Sequence, residues 1–244
     1  MKSVLIVGAT RNLGKALLTY YVSEPNTIIF ATSRYGKPLH HASNVHWISN
    51  VDLSHEDAGS IFSAQYGHGF PMDFVYLVAA SSTQMFTPET LDSLKFEKEL
   101  TMYKTSAIGP LFFIQRLLLA NILSRGTKII FVGNEAGSIS LCTKGGNYGF
   151  HGSQASLNMM AKLLSFDLEP KGIIVGVIYP GPTIANEDES RGDKGDEFQT
   201  EQRAKALAKF VETDLNMEKT GDVWAAQGFG FVAKLYSLSR SLIQ

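Results

Sequence analysis

The 244 residues are 44% hydrophobic and 18% charged, and 22 basic residues nearly balance 23 acidic ones, which gives a net charge of −1. This composition is typical of a globular domain, and it offers no charged block that would attract nucleic acid or a membrane surface. We therefore expect neither among the partners. The single Cys142 cannot form an internal disulfide, and the N-terminus lacks the apolar core of an export signal, so we predict a cytoplasmic protein.

Short β-branched runs alternate with longer helical patterns along the chain. The predicted strands lie at residues 4–7, 27–32, 45–51, 73–78, 128–132 and 173–179, and the helical patterns begin near 12 and cover 55–65, much of 88–123, and 148–169. The strand runs are apolar throughout, as in a parallel sheet that is covered by helices on both faces. The alternation predicts an α/β fold with a doubly wound parallel sheet, in a single domain over residues 1–244.

One segment departs from this pattern. Residues 186–197, NEDESRGDKGDE, contain six acidic and two basic residues and no large apolar side chain. Such a segment buries too little surface to become ordered at low free-energy cost. It fits a solvated loop or a lid over the carboxyl edge of the sheet, and we predict a mobile substrate loop over residues 184–203.

A glycine-bearing turn, GATRNLG at residues 8–14, follows the first strand and opens the first helix. A strand, a tight turn and a helix start point backbone N–H groups and the positive helix end at a pyrophosphate. Asn12 stands where a middle glycine often lies, and Asn tolerates left-handed backbone angles. A turn without a ligand is the alternative. The candidate cofactor-binding residues here are Gly8, Thr10, Arg11, Asn12, Leu13 and Gly14.

The end of the second predicted strand bears on the choice of cofactor. An acidic residue there would bind both ribose hydroxyls of NAD, but this chain has Ser33 and Arg34. A guanidinium can bind a 2′-phosphate through two hydrogen bonds, and Arg11 could add a second positive charge. After the third strand, Asp52 and Leu53 are placed to receive an adenine amino group. Together these residues predict NADP(H), although Arg34 alone would also fit an ordinary surface cation.

Several motifs occur in an order that resembles the short-chain dehydrogenase/reductase family. They are GATRNLG, AIGPLFFIQRLL, IIFVGNEAGSI, GGNYGFHGSQASLNMMAKLLSFDLEPKGI and YPGP, within about residues 1–228. The stretch at 145–173 is most similar to the sniffer and C-factor branch. The resemblance implies a Rossmann-type sheet of about seven strands, the last within 220–228, and hydride transfer with NAD(P)H. It also implies cofactor contacts from Ala79, Ala80, Pro180 and Gly181.

The Asn-Ser-Tyr-Lys tetrad that the resemblance implies is substituted at every position. The anchor SQASLN at 153–158 aligns Phe150 with the tyrosine and Gln154 with the lysine. Asn134 in VGNEAGS stands for the serine, and Ser106 in TSAIGPL stands for the asparagine. Phe150 has no proton to give, and Gln154 carries no charge, although its amide can still bond a ribose hydroxyl. The usual proton-transfer groups are therefore missing, while hydrogen-bonding groups remain.

Nearby residues are weak substitutes for the missing acid. Tyr148 lies at the start of the same helix, and Glu135 follows the residue aligned with the catalytic serine. We expect Tyr148 to have a structural role. His151 neighbours the aligned phenylalanine, but successive helical residues point about 100° apart, so we expect it to be a hydrogen-bonded bystander that faces away from the cofactor.

Two further observations limit the site. His40 and His41 follow the second strand without other ligand residues nearby, so we predict that they are solvated and that no metal is bound. Pro182 follows Pro180 and Gly181, at a turn that lines the nicotinamide in the resembling family, and it lacks a backbone N–H. This departure affects the nicotinamide end of the site more than the adenine end.

Three functions fit these residues. The first, which we favour, is an enzyme that reduces an activated electrophile such as an iminium, or that catalyses a redox-neutral isomerisation or cyclisation. The second is a pseudoenzyme that binds NADP(H) or a partner without turnover. The third is an ordinary carbonyl reductase with a substitute acid. The candidate pocket residues Met85, Phe86, Phe150 and Phe198 are apolar, so we expect a small apolar or weakly polar organic substrate.

The two helical patterns at 88–123 and 148–169 are more apolar than contact with a sheet requires. Helices at these places pair subunits across a two-fold axis in the resembling family, so we predict a homodimer. The residues concerned are Leu111, Phe112, Leu117, Leu118, Met159, Met160, Leu163 and Leu164.

Overall fold

In the part of the chain that the structure describes, eight strands form one sheet with helices on both faces. The computed structural model describes residues 1–36, 42–67, 69–78, 89–181, 194–227 and 231–234. The strands are β1 (Lys2–Val7), β2 (Thr27–Thr32), β3 (Val45–Ile48), β4 (Phe74–Leu77), β5 (Lys128–Val132), β6 (Ile174–Tyr179), β7 (Val223–Gln227) and β8 (Phe231–Lys234). The helices are α1 (Asn12–Val22), α2 (Ala58–Tyr66), α3 (Phe96–Tyr103), α4 (Gly109–Leu119), α5 (Tyr148–Leu168) and α6 (Lys194–Thr213).

The strand order is β3-β2-β1-β4-β5-β6-β7-β8, and every neighbouring pair from β3 to β7 is parallel. The chain moves outward from β1 to β3 on one side and then crosses over to β4 on the other. This reversal separates the loops that follow β1 and β4, and it leaves a crevice at the carboxyl edge where such sheets bind ligands. The predicted Rossmann-type fold is confirmed.

The eighth strand was not anticipated. β8 pairs antiparallel with β7, and it has four residues, too few to show a periodicity in the sequence.

The apolar strands supply two core layers. Leu5 and Val7 of β1 pack in the layer with α2, α4 and α5, whereas Val4 and Ile6 pack in the layer with α1 and α6. β6 is buried along its whole length. Coverage on both faces explains why the strands read as continuous apolar runs rather than as alternating ones.

The helical pattern predicted within 88–123 is divided by a π turn at Lys104–Ile108, which separates α3 from α4. Pro110 follows in the first turn of α4. Its ring conflicts with the carbonyl four residues earlier, on Ser106, and a widened turn relieves that conflict. A Cβ on Gly109 would lie only 2.7 Å from the carbonyl carbon of Leu53, so the helix approaches the loop after β3 closely.

The predicted loop at 184–203 is corrected in its second half, because α6 begins at Lys194. The helix follows from buried residues at helical spacing, Ala204, Leu207, Ala208 and Val211, which hold it against the sheet. The charged composition before them concealed this pattern. Residues 184–193 lie outside the described residues.

A helix that crosses a bilayer must be both long and apolar. Within the parts of the chain that the structure describes, none combines the length and the apolar character that a membrane span needs.

Candidate cofactor cleft and active site

The turn after β1 brings two stretches of backbone into close contact. Gly8 has a φ of 91° and Asn12 a φ of 46°, both in the left-handed region. A Cβ on Gly14 would lie 2.9 Å from the carbonyl carbon of Gly8 and 3.2 Å from the Cα of Ala9, so only glycine fits there. No side chain caps the N-terminus of α1. Its first N–H groups are therefore available to an anion.

The remaining predicted residues of this turn divide into two sets. Thr10 and Arg11 are exposed, whereas Leu13 is buried in the layer with α1 and α6. The turn is fixed to β2, because the backbone N–H of Gly8 donates to Thr32 Oγ1 at 3.1 Å. The glycine turn and the end of β2 therefore meet at one place.

The end of β2 differs from the prediction at Ser33. The Ser33 side chain is buried, and its hydroxyl donates to the backbone oxygens of Tyr35, at 2.5 Å, and Gly36, at 3.2 Å. It shapes its own turn rather than offering its proton to a ribose phosphate. Arg34 is exposed, and its guanidinium lies 5.7 Å from the centre of the Tyr35 ring.

Asp52 and Leu53 follow β3 in a tight turn. Asp52 Oδ1 accepts from the backbone N–H of Ser54 at 2.9 Å and from its hydroxyl at 2.8 Å. The other carboxylate oxygen of Asp52 accepts no hydrogen bond from the residues that the structure describes, so it is left for a donor such as an amino group. Ala79 and Ala80 lie outside the described residues.

The four positions aligned with the tetrad come from three segments. Ser106 lies buried in the π turn, Asn134 follows β5, and Phe150 and Gln154 lie one turn apart on α5. The π turn and the short turn at Glu135–Gly137 both pack against α5, which brings these segments to one helix. Asn134 Oδ1 already accepts from the N–H of Ala136 at 2.9 Å, so its amide N–H remains the group that can polarise an oxygen.

His151 and Tyr148 are placed as bystanders. His151 Nδ1 is 2.9 Å from the carbonyl oxygen of Ala136, so this ring nitrogen donates in that hydrogen bond. Tyr148 is exposed, and a spacing of two residues turns it about 200° around α5 from Phe150.

Glu135 has a partner that the sequence did not indicate. The Glu135 carboxylate interacts with the hydroxyl of Tyr179, the last residue of β6, and Arg203 of α6 also acts on this hydroxyl. Burial, and then the Glu135 charge, raise the pKa of Tyr179 to about 12. The next residues, Pro180 and Gly181, are buried, and Gly181 has a φ of 94°. The sequence pattern does not predict that Tyr179 interacts with a charged side chain, because this residue ends a strand that is apolar throughout.

A metal site in a protein groups several acidic, histidine or cysteine side chains around the ion. Within the described part of the chain, no three of them are grouped so as to hold a metal ion. His40, His41 and Pro182 lie outside it, as do the pocket candidates Met85 and Phe86. Phe198 lies in α6, in the part of that helix where only the backbone is described.

The strand order, the glycine turn and the crevice between β1 and β4 define a Rossmann-type nucleotide fold. The family model described as short chain dehydrogenase matches residues 2–195. The protein belongs to the short-chain dehydrogenase family, as its motifs predicted.

Individual relatives agree with this assignment. An uncharacterized oxidoreductase of Saccharomyces cerevisiae is 29% identical over 189 residues, which cover 72% of each chain. The NADPH-bound carbonyl reductase from chicken fatty liver has a TM-score of 0.76 at 19% identity, over 92% of this chain and 96% of its own. The carbonyl reductase Sniffer of Drosophila melanogaster has the same TM-score and coverage at 20% identity. At these identities the two structures establish the fold.

Proposed function

We propose that the protein binds NADP(H) in the crevice at the carboxyl edge and acts on a substrate that needs little proton transfer. The cofactor half of this proposal rests on the close approach of Gly14 to Gly8, which leaves the backbone bare for a pyrophosphate. Arg34 and Arg11 would bind a 2′-phosphate, and Asp52 would receive the adenine amino group. The NADPH that is bound to the chicken reductase supports the same choice.

The chemical half rests on one observation, the pair Phe150 and Gln154 on α5. NADPH supplies a hydride when it is bound. Phe150 cannot protonate the oxygen that a ketone would develop, and loss of such general acid help lowers a rate by roughly 10²–10⁴. A substrate that is already activated, such as an iminium, accepts hydride without that proton. A redox-neutral isomerisation or cyclisation in a shaped pocket would also avoid it.

The groups that remain determine what the site can do. The Gln154 amide is buried and can bond a ribose hydroxyl, while the Asn134 amide N–H can polarise a substrate oxygen. Half-buried Phe150 replaces a polar group by an apolar ring at the reacting end. We therefore propose a small apolar or weakly polar organic substrate.

A pseudoenzyme is the second candidate, and the side chains around the tetrad positions favour it. Asn134 caps a turn, His151 bonds a backbone oxygen, and Tyr148 is exposed. An ordinary carbonyl reductase would instead need a substitute acid. The pair Tyr179 and Glu135 fits poorly, because a tyrosine with a pKa of about 12 gives up its proton less readily than an ordinary one.

Binding and turnover separate these candidates. NADPH fluorescence titration measures binding, and NADPH absorbance at 340 nm follows oxidation by iminium ions, quinones, aldehydes and ketones. We expect tight binding and oxidation by iminium ions or quinones alone. Binding without any oxidation would favour the pseudoenzyme or an isomerase, and turnover of simple ketones at ordinary rates would contradict the proposed chemistry. Absence of NADPH binding would contradict the proposal as a whole.

We also propose a homodimer, through a face that differs in part from the residues predicted. Leu117 is fully buried in the core, and Leu118, Met160 and Leu164 pack partly against it. The large apolar residues that remain exposed on the outer side of the π turn, α4 and α5 are Ile108, Phe112, Leu119, Met159, Leu163 and Phe166. Large apolar side chains that stay exposed on helices of one layer are typical of a subunit interface.

We expect the protein to have the mass of a dimer, about twice 26.7 kDa, in light scattering at tens of micromolar. Leu163→Glu should shift it to the monomer, because a carboxylate would be buried without a partner. Thr19→Glu, on exposed α1 across the sheet, carries the same charge and should leave the dimer intact. A monomeric mass for the unmodified protein would rule out the dimer.

A further inference from the structure

Two carboxyl groups lie against the start of α5. Glu89 is only 4% exposed, and the half-buried side chain of Glu99, on α3, interacts with it. Ionised carboxylates have acceptors and no donor. Consistent with this, both oxygens of Glu89 and Oε1 of Glu99 are buried and receive no hydrogen bond from the described residues. A hydrogen bond between the two groups therefore requires a proton on one of them.

Among the described residues, the charges around the pair leave one negative charge uncompensated. The Lys98 ammonium lies 3.5 Å from Glu89 Oε1, and it is the cation that faces the pair from α3. From α5 the pair receives the backbone N–H of Gly149, which donates to Glu99. In the π turn Lys104 is exposed. One ammonium balances one carboxylate, and burial of a second charge without a partner is strongly unfavourable.

The same groups are bound tightly to the first turn of α5. Asn147, with a φ of 48°, exchanges two hydrogen bonds of 3.0 Å with the backbone of Glu89. A Cβ on Gly146 would lie 2.6 Å from the Glu89 carbonyl oxygen, and a Cβ on Gly149 would lie 2.9 Å from the Glu99 carboxyl carbon. Glycine at both places lets the glutamates contact the backbone directly, and Gly149 directly precedes Phe150.

We propose that Glu89 and Glu99 share one proton and are positioning residues for the first turn of α5, which carries Phe150. The shared proton supplies the donor that two carboxylates lack. The two carboxyl groups can then form a hydrogen bond, while Lys98 balances the remaining negative charge. The link to catalysis rests on the proposed function, because that function places Phe150 at the reacting end of the cleft. The shared proton itself does not depend on it.

The proposal has a defined pH dependence. Burial of the Glu99 carboxyl, and then the neighbouring Glu89, raise the pKa of Glu99, while Lys98 and the Gly149 N–H oppose this. A carboxyl whose pKa is raised on folding stabilises the native state below its unfolded pKa. That stabilisation is lost as the pH rises through the raised value. The contact between this pair and the first turn of α5 is therefore most stable in acid, and it weakens toward alkaline pH.

Glu99→Gln tests the shared proton, because its amide donates to Glu89 at every pH. The control is Glu97→Gln, which removes the same charge from the same turn of α3 at an exposed position. The melting temperature of Glu99→Gln relative to the control should rise by roughly 2–4 °C between about pH 5 and pH 8. Glu89→Gln should behave likewise, since either amide can donate. A difference that stays constant with pH in both variants would overturn the shared proton.

Hydrogen exchange tests the positioning role without any cofactor. The amides of residues 148–152 should lose protection at least tenfold from acid to alkaline pH in the unmodified protein and in Glu97→Gln, and should keep it in Glu99→Gln. Equal protection in all three would overturn positioning. NADPH titration of the same proteins reports separately on the proposed function, so a failure to bind NADPH would leave the exchange result to decide this inference.

Discussion

The quadruple variant Ser106→Asn, Asn134→Ser, Phe150→Tyr, Gln154→Lys should reduce a small activated diketone roughly 10²–10⁴ times faster than the unmodified protein. The four positions lie in segments that already pack on α5, so the change restores groups rather than architecture. The new lysine would lower the pKa of the new tyrosine and let it protonate the substrate oxygen near neutral pH. NADPH consumption at 340 nm, with and without the diketone, measures the gain.

Partial variants show whether the new groups act together. Phe150→Tyr alone should do little, because without a nearby cation a tyrosine pKa of about 10 is poorly matched to neutral pH. Phe150→Tyr with Gln154→Lys should give more than the sum of the two single changes. If the quadruple variant binds NADPH and remains inert, the nicotinamide is misplaced. The next change to make is then the replacement of Pro182 by a residue with a backbone N–H.

Arg34→Ala should remove most of the preference for NADPH over NADH, which we expect to be about tenfold to a hundredfold, or roughly 1.4–2.8 kcal/mol. Arg34 is exposed just after β2, the strand whose Thr32 bonds the glycine turn. Positions 33–36 contain no carboxylate that would bind ribose hydroxyls. Titration of each nucleotide by fluorescence gives the ratio of dissociation constants.

The matched control for this change is Arg125→Ala. Arg125 is also exposed, but it precedes β5 and so lies at the amino edge of the sheet, away from the crevice. It should leave the ratio unchanged. Equal affinities of the unmodified protein for the two nucleotides would contradict the assignment of Arg34 and Arg11 to a phosphate.

The fold could be predicted from the sequence because its strands are continuous apolar runs between turn residues. Thr27–Thr32 and Lys128–Val132 have the predicted bounds, and the boundaries of the other predicted strands shift by at most a few residues. α6 was not predicted, because its charged first turns resemble a loop. The helical spacing of buried residues begins only at Ala204 and Leu207. Periodicity therefore predicts an element whose buried residues recur along its whole length. It fails for an element whose buried residues begin only after several turns.

The site was predicted less completely, since side-chain partners are not encoded in spacing. The tight turn at Gly14 and the left-handed backbone of Asn12 agree with the sequence pattern, and their role toward a phosphate stays a prediction. Ser33 was given a ligand role, but its hydroxyl bonds its own turn. The interaction of Tyr179 with Glu135 joins residues 44 positions apart, and no local pattern predicts it.

The π turn at Lys104–Ile108 has a consequence for how this segment can change. Each residue advances an α-helix by about 100°, so one extra residue in a turn rotates everything beyond it by a similar angle. α3 faces α5, where the Tyr103 hydroxyl packs on Gly152, while α4 faces α2. The two halves of the segment from Phe96 to Leu119 are therefore out of phase. A one-residue deletion in the turn would bring them into phase and swing the buried face of α4 toward solvent, whereas a deletion in a surface loop would be absorbed.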